Sequence, residues 1–137
     1  MDIAPNFTAK QWKSLDLEGN EQDWQKAIDV LYSRLSARYL EPVDKLLEFE
    51  SNLEASEKRF GFTVLAIDLL LIETLQAFKD GLESTDGKSK KVFIRFLRTS
   101  PHFCEYFHTK QQRENFYKEF RCGILHQAEI QIGRAHV

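Results

Sequence analysis

The segment FTVLAIDLLLIETLQAF, residues 62–78, decides the fold class of this 137-residue chain. It is the longest apolar run in the sequence and approaches the length of a short membrane span. Asp68 and Glu73 interrupt the run, and a charged side chain is costly inside a bilayer. We therefore predict a buried central helix from about Gly61 to Phe78, ended by Gly81 as its C-cap.

Before this helix, apolar residues recur at steps of three and four along residues 20–40, which is typical of an amphipathic helix. Asn20 precedes an acidic first turn and is expected to be its N-cap. Pro42 then begins a second, shorter helix. The apolar face expected on the first helix comprises Trp24, Ala27, Ile28, Leu31, Leu35 and Tyr39, and Trp12 and Trp24 are expected to be core or interface anchors.

After the central helix, KVFIRFLRTS (91–100) predicts a helix that stops before Pro101. The last predicted helix is KQQRENFYKEFRCGILHQAEIQ (110–131), with Phe116, Phe120, Ile124 and, as a further candidate, Ala128 on one face. No segment shows the alternation of a strand. The sequence thus predicts an all-α bundle of four or five main helices, in a single domain over residues 1–131.

Overall composition excludes several classes of protein. The net charge is −2 and the isoelectric point about 6.1, so a polyanion would have to be met by a local basic cluster. The two cysteines, Cys104 and Cys122, form no CxxC pair, which argues against structural zinc or a disulfide framework. The start, MDIAPNFTAKQW, does not resemble a signal peptide. We expect a cytoplasmic protein that does not engage a membrane.

The end of the chain, IGRAHV (132–137), has the sequence encoded by ATC GGA AGA GCA CAC GTC. That string belongs to a common short-read sequencing adapter, in which the next codon is a stop. We hypothesise that these residues are adapter-derived and not native, so that the natural sequence continues differently after Gln131. The alternative is an ordinary chain end. A genomic read that continues from the codon for Gln131 into these residues would contradict the hypothesis.

The stretch FYKEFRCGILHQAE (116–129) holds the pair with the clearest chemistry, Arg121 and His126. Histidine can exchange a proton near neutral pH, and the guanidinium fork of arginine fits phosphate oxygens. Together they meet the minimum for cleaving RNA without a metal: a base for the ribose 2′-OH and a cation for the phosphoryl charge. On an α-helix the two residues lie roughly 140° apart. They converge if Gly123 permits a kink, or across a symmetric dimer.

Three stretches carry a family resemblance. LAIDLLLIETLQAFKDG (65–81), FIRFLRTSPHFCEYF (93–107) and FYKEFRCGILHQAE (116–129) together resemble the plasmid-borne pEK499-type branch of HEPN domains. In that family an arginine and a histidine, separated by four to six residues, lie on the last helix. The resemblance covers about residues 20–131 and makes Arg121 and His126 the two motif residues.

The resemblance implies a helical bundle that dimerises through the motif helix. It also implies a metal-independent endoribonuclease without a cofactor, of the toxin–antitoxin or defence type, with RNA as substrate and an antitoxin protein as a candidate partner. Cys122 follows the arginine, where active members often carry Asn, Asp or His. The alternative is a non-catalytic module that binds RNA, nucleotide or a protein, and a third reading makes the pair structural.

Other charged residues have two readings each. Arg95 and Arg98 close a basic cluster that binds the RNA backbone or forms a solvated helix face. Asp68 and Glu73 either face solvent or need a partner, for which Arg121 is the candidate. A histidine- and cysteine-containing segment lacks a familiar zinc pattern, and we predict no metal site there. The basic cluster that ends in Arg95 and Arg98 begins with Lys88, Lys90 and Lys91. The histidine- and cysteine-containing segment comprises His102, Cys104, Glu105 and His108.

Overall fold

The computed structural model describes the backbone of residues 1–127, 131–132 and 135–136, and the side chains of residues 1–124. This part of the chain is predominantly helical, which confirms the all-α prediction. The α-helices are α1 (Ala9–Lys13), α2 (Glu21–Leu35), α3 (Glu41–Glu50), α4 (Gly61–Lys79), α5 (Ser89–Thr99) and α6 (Lys110–Phe116). A 3-10 turn spans Ala55–Glu57, and π-helical segments span Ser36–Leu40 and Tyr117–Gln127.

The chain opens with a small antiparallel hairpin of β1 (Asp2–Ala4) and β2 (Phe7–Thr8). Its turn residues are Pro5 and Asn6, and Asn6 has a positive φ of 56°. Proline followed by asparagine suits a turn whose third residue is left-handed, because proline presets φ and asparagine tolerates that region. The prediction of no strands is therefore wrong here, and the Pro-Asn pair was the missed signal.

Helix α2 begins as predicted. The Asn20 side chain accepts hydrogen bonds from the backbone N–H of Gln22 at 3.0 Å and of Asp23 at 3.3 Å. Such a cap stabilises a helix by about 1 kcal/mol. The expected apolar face is only partly correct, because Trp24 and Ile28 are exposed while Ala27 is buried.

The chain stays helical from α2 into α3, and Pro42 lies in the first turn of α3. Proline has no N–H and its ring crowds the carbonyl four residues back. The turn just before it is π-helical, and the N–H of Glu41 bonds the carbonyl of Ser36, five residues back. Proline thus accompanies a local widening of the helix and does not separate two helices.

By backbone contacts the chain forms two compact units, residues 1–60 and residues 61–137. The single-domain prediction stays a prediction. In the first unit a small core joins the hairpin to α2, and it consists of Ala4, Phe7 and Val30 with Ile3 and Leu15 against them. Trp12, expected in a core or interface, is 37% exposed.

In the second unit α4 has the predicted bounds to within a residue. Gly81 ends it with a φ of 65°, and the N–H of Leu82 bonds the carbonyl of Ala77 at 2.9 Å, which is a Schellman cap. Only one face of α4 is buried, because Leu70, Leu75 and Phe78 are exposed. The prediction of a buried helix therefore holds for one face alone.

By length and composition α4 could also cross a membrane, but the core helix of a soluble protein passes the same test. It is the one helix in the described part of the chain that does so.

The core of the second unit is aromatic. Phe93 and Leu97 of α5 are fully buried, and they pack with Leu69 and Ile72 of α4. The predicted apolar face of the last helix is confirmed for three positions in this cluster, which are Phe116, Phe120 and Ile124. Ala128 lies outside the described residues.

Beyond it, two short strands pair antiparallel, β3 (Gln131–Ile132) and β4 (Ala135–His136). The origin of residues 132–137 stays a hypothesis.

Candidate functional site

The predicted last helix is not a continuous α-helix. From Tyr117 to Gln127 it is a π-helix, in which each backbone N–H bonds the carbonyl five residues earlier. Positions five residues apart therefore lie on the same side of the helix, about one turn apart, and Arg121 and His126 occupy such positions. The wide angular separation of an α-helix does not apply to this segment, and the two backbone positions share a face without a kink or a partner helix. The side chain of His126 lies outside the described part of the chain.

Arg121 forms a nearly buried ion pair with Glu73 of α4. Its Nη2 lies 2.8 Å and its Nε 3.2 Å from the same carboxylate oxygen, Oε2. The exposed fractions of the two side chains are 14% and 9%. Of the two alternatives for the acids of the central helix, the structure shows the partnered one for Glu73, with Arg121 as its partner. Asp68, the other acid, is exposed.

Glu73 is ionised in this setting. Burial raises the pKa of its carboxyl group, but hydrogen bonds from Thr85, Ser89 and Arg121, together with the Arg121 charge, outweigh burial and hold that pKa below its usual range. The ion pair therefore persists at neutral pH.

Glu73 engages only one edge of the Arg121 guanidinium. Nε and Nη2 are engaged by Glu73, whereas Nη1 makes no hydrogen bond within the part of the chain with described side chains. The aromatic ring of Tyr117 lies against the group, 5.8 Å from its central carbon. An arginine that is held along one edge by a carboxylate and lies over an aromatic ring presents its remaining N–H groups in a defined direction, which suits an anion such as phosphate.

Cys122, the residue after the arginine, is partly buried, and its thiol lies against the hydroxyl of Tyr117. Cys122 therefore packs beside Tyr117, next to the Arg121 site.

The predicted RNA-binding arginines lie on α5. Arg95 is paired with Asp80 at 3.1 Å, while Arg98 is exposed and makes no ion pair among the described side chains. Both line an open groove of about 400 Å³, and Lys90 at the same groove pairs with Glu114 at 3.4 Å. The remaining lining residues are Gly87, Lys91 and Ile94. The groove is net positive, and two of its cations are already partly neutralised.

The histidine- and cysteine-containing segment does not assemble a site. His102, Cys104, Glu105 and His108 are all exposed. No group of three or more His, Cys, Asp or Glu side chains that could hold a metal ion occurs among the residues described.

Sequence reasoning missed three members of the Arg121 environment, namely Thr85, Ser89 and Tyr117. Thr85 and Ser89 follow the central helix in the sequence LESTDGKSKK (82–91), whose composition is typical of a loop, and serine and threonine are common in loops for reasons unrelated to a site. Only the packing of α5 against α4 and the π-helix brings them to Glu73.

Searches against family models, curated proteins and solved structures return no match to this chain.

Proposed function

We propose that this protein is a HEPN-type, metal-independent endoribonuclease. The observation that carries the proposal is the fixed guanidinium of Arg121, one helical turn from the backbone position of His126. Cleavage at a phosphodiester with a neighbouring 2′-OH needs a cation for the phosphoryl charge and a group that exchanges a proton, and Arg121 and His126 are residues of these two types. The three stretches that resemble HEPN domains add support from the sequence.

In the proposed reaction His126 accepts the proton of the ribose 2′-OH. The 2′ oxygen attacks the adjacent phosphorus, and the bond from phosphorus to the 5′ oxygen breaks. The leaving oxygen takes up a proton, so the products are a 2′,3′-cyclic phosphate and a 5′-OH. Arg121 stabilises the negative charge that builds on the non-bridging oxygens, through the N–H groups that Glu73 leaves unused.

The groove on α5 supports RNA as the substrate. Arg98 is available for phosphate contacts, and Arg95 contributes after sharing its charge with Asp80. We further propose a cytoplasmic homodimer formed through the π-helix, and an antitoxin protein as its regulator, on the strength of the family resemblance alone.

The test is cleavage of an end-labelled mixed RNA in EDTA. We expect His126→Ala to slow cleavage by about a hundredfold or more, the usual contribution of a general base or acid. His108→Ala, which alters an exposed histidine, is the matched control and should cleave like the parent chain. The fragments of the parent reaction should carry 2′,3′-cyclic phosphate ends.

Undiminished cleavage by His126→Ala, or cleavage that EDTA abolishes, would rule out this mechanism. A second candidate, a non-catalytic module that binds RNA, is favoured by Cys122 at the position where active HEPN domains often carry Asn, Asp or His. RNA binding without cleavage by the parent chain would select it, and Cys122→Asn would then show whether that residue is the cause.

A further inference from the structure

The hydrogen-bonded network around Arg121 extends beyond Glu73. The Ser89 hydroxyl donates to the same carboxylate oxygen, Oε2, at 2.9 Å. The Tyr117 hydroxyl in turn donates to Ser89 Oγ at 3.2 Å. Side chains from three helices therefore contribute to this network. Glu73 of α4 accepts hydrogen bonds from Ser89 of α5 and from Arg121 of the π-helix. Tyr117 of the π-helix donates to Ser89.

Tyr117 contacts Arg121 in two ways. The guanidinium lies over its ring, and its hydroxyl supports the carboxylate through Ser89. The ring itself is held by Phe93, with centroids 5.5 Å apart in an edge-to-face arrangement. Because Phe93 is fully buried, the position of Tyr117 is set by the core.

The protonation state of Tyr117 suits this role. Burial raises the pKa of its hydroxyl group, so the phenol stays neutral at physiological pH and remains a hydrogen-bond donor. The Ser89 hydroxyl accepts a hydrogen bond from Tyr117 and donates one to Glu73, because a hydroxyl group can do both at the same time.

We propose that Tyr117 and Ser89 are positioning residues that fix the phosphate-binding guanidinium of Arg121 through Glu73. This inference rests on the proposed function, because in that function Arg121 binds the phosphate group of the RNA. Neither residue touches the RNA in this scheme. Each limits the rotation of the carboxylate on which Arg121 is held, so that Nη1 keeps its direction in the free protein.

The experiment follows the Arg121 side chain directly by NMR, through its Nε–Hε resonance, which Arg121→Lys identifies by its absence. Tyr117→Phe keeps the ring and Ser89→Ala keeps the backbone, so each removes a hydroxyl group alone. We expect the Arg121 resonance to exchange faster with water in both variants. RNA cleavage should fall about tenfold, as for one lost hydrogen bond near the upper end of its usual strength.

Ser89→Thr restores a hydroxyl and should recover most of both signals. Tyr106→Phe, at a tyrosine that is 70% exposed, is the matched control and should change neither. An unaltered Arg121 resonance in Tyr117→Phe and Ser89→Ala would overturn the inference, and so would full cleavage activity beside an altered resonance. If the parent chain cleaves no RNA, the proposed function fails, while the resonance still decides whether Arg121 is positioned this way.

Discussion

Replacing Phe93 by alanine is expected to lower the free energy of unfolding by about 3–5 kcal/mol, the usual cost of removing a buried phenylalanine ring. Phe93 has no exposed surface and stands at the centre of the second unit's core. Its ring packs against Tyr117 at 5.5 Å and Phe116 at 6.1 Å between centroids. Rigid aromatic neighbours collapse poorly into the space left, so most of the cavity should remain. Urea unfolding followed by circular dichroism measures the change.

Phe78→Ala is the matched control, because this phenylalanine lies on the same unit but is 51% exposed. Its cost should be clearly smaller, since less apolar surface leaves water on folding. Equal losses for the two variants would mean that Phe93 is not the centre of the core. Phe93→Ala should also release Tyr117, so that RNA cleavage falls beyond what the loss of folded protein accounts for.

The second large effect is expected at Glu73. Glu73→Ala leaves the Arg121 guanidinium without its counter-charge in a site where that side chain is 14% exposed. Removing one partner of a buried ion pair lowers the free energy of unfolding by about 3–5 kcal/mol. We expect about 3 kcal/mol for Glu73→Ala, because Arg121 retains some exposure to water. Ser89 also loses its acceptor. Thermal or urea unfolding should register the loss, and cleavage should fall as well if Arg121 acts on phosphate.

Glu73→Gln separates charge from hydrogen bonding, because the amide oxygen can still accept. It should cost less than Glu73→Ala and should alter the dependence of stability on pH. The pKa of Glu73 is lowered on folding. Its contribution is therefore complete above the unfolded pKa, about 4.3, and is lost as the pH falls below that value toward the folded pKa.

The acid loss attributable to Glu73 should be absent from Glu73→Gln. Glu83→Gln, at an exposed glutamate, is the control and should follow the parent chain. Parallel acid-denaturation curves for the parent chain and Glu73→Gln would show that the ion pair does not contribute to stability.

Local sequence predicted much of the helical framework because the relevant signals act over one or two turns. Asn20 caps α2 through N–H groups two and three residues away, and Gly81 ends α4 because glycine adopts a positive φ without strain. The same local logic failed at Trp24 and Ile28. A helical period identifies an apolar face, but whether that face is covered depends on what packs against it.

The candidate site divides in the same way. The sequence by itself determined the residue types, the spacing of Arg121 and His126, and the presence of two acids on the central helix, one of which could be a partner for Arg121. Only the tertiary structure decided the rest. Arg121 and Glu73 are 48 residues apart in sequence, and Tyr117 and Ser89 are 28 apart, so no local period encodes their contact. The π-helical register, too, changes which residues share a face without changing the sequence pattern, because it alters the backbone hydrogen bonds and not the order of side chains.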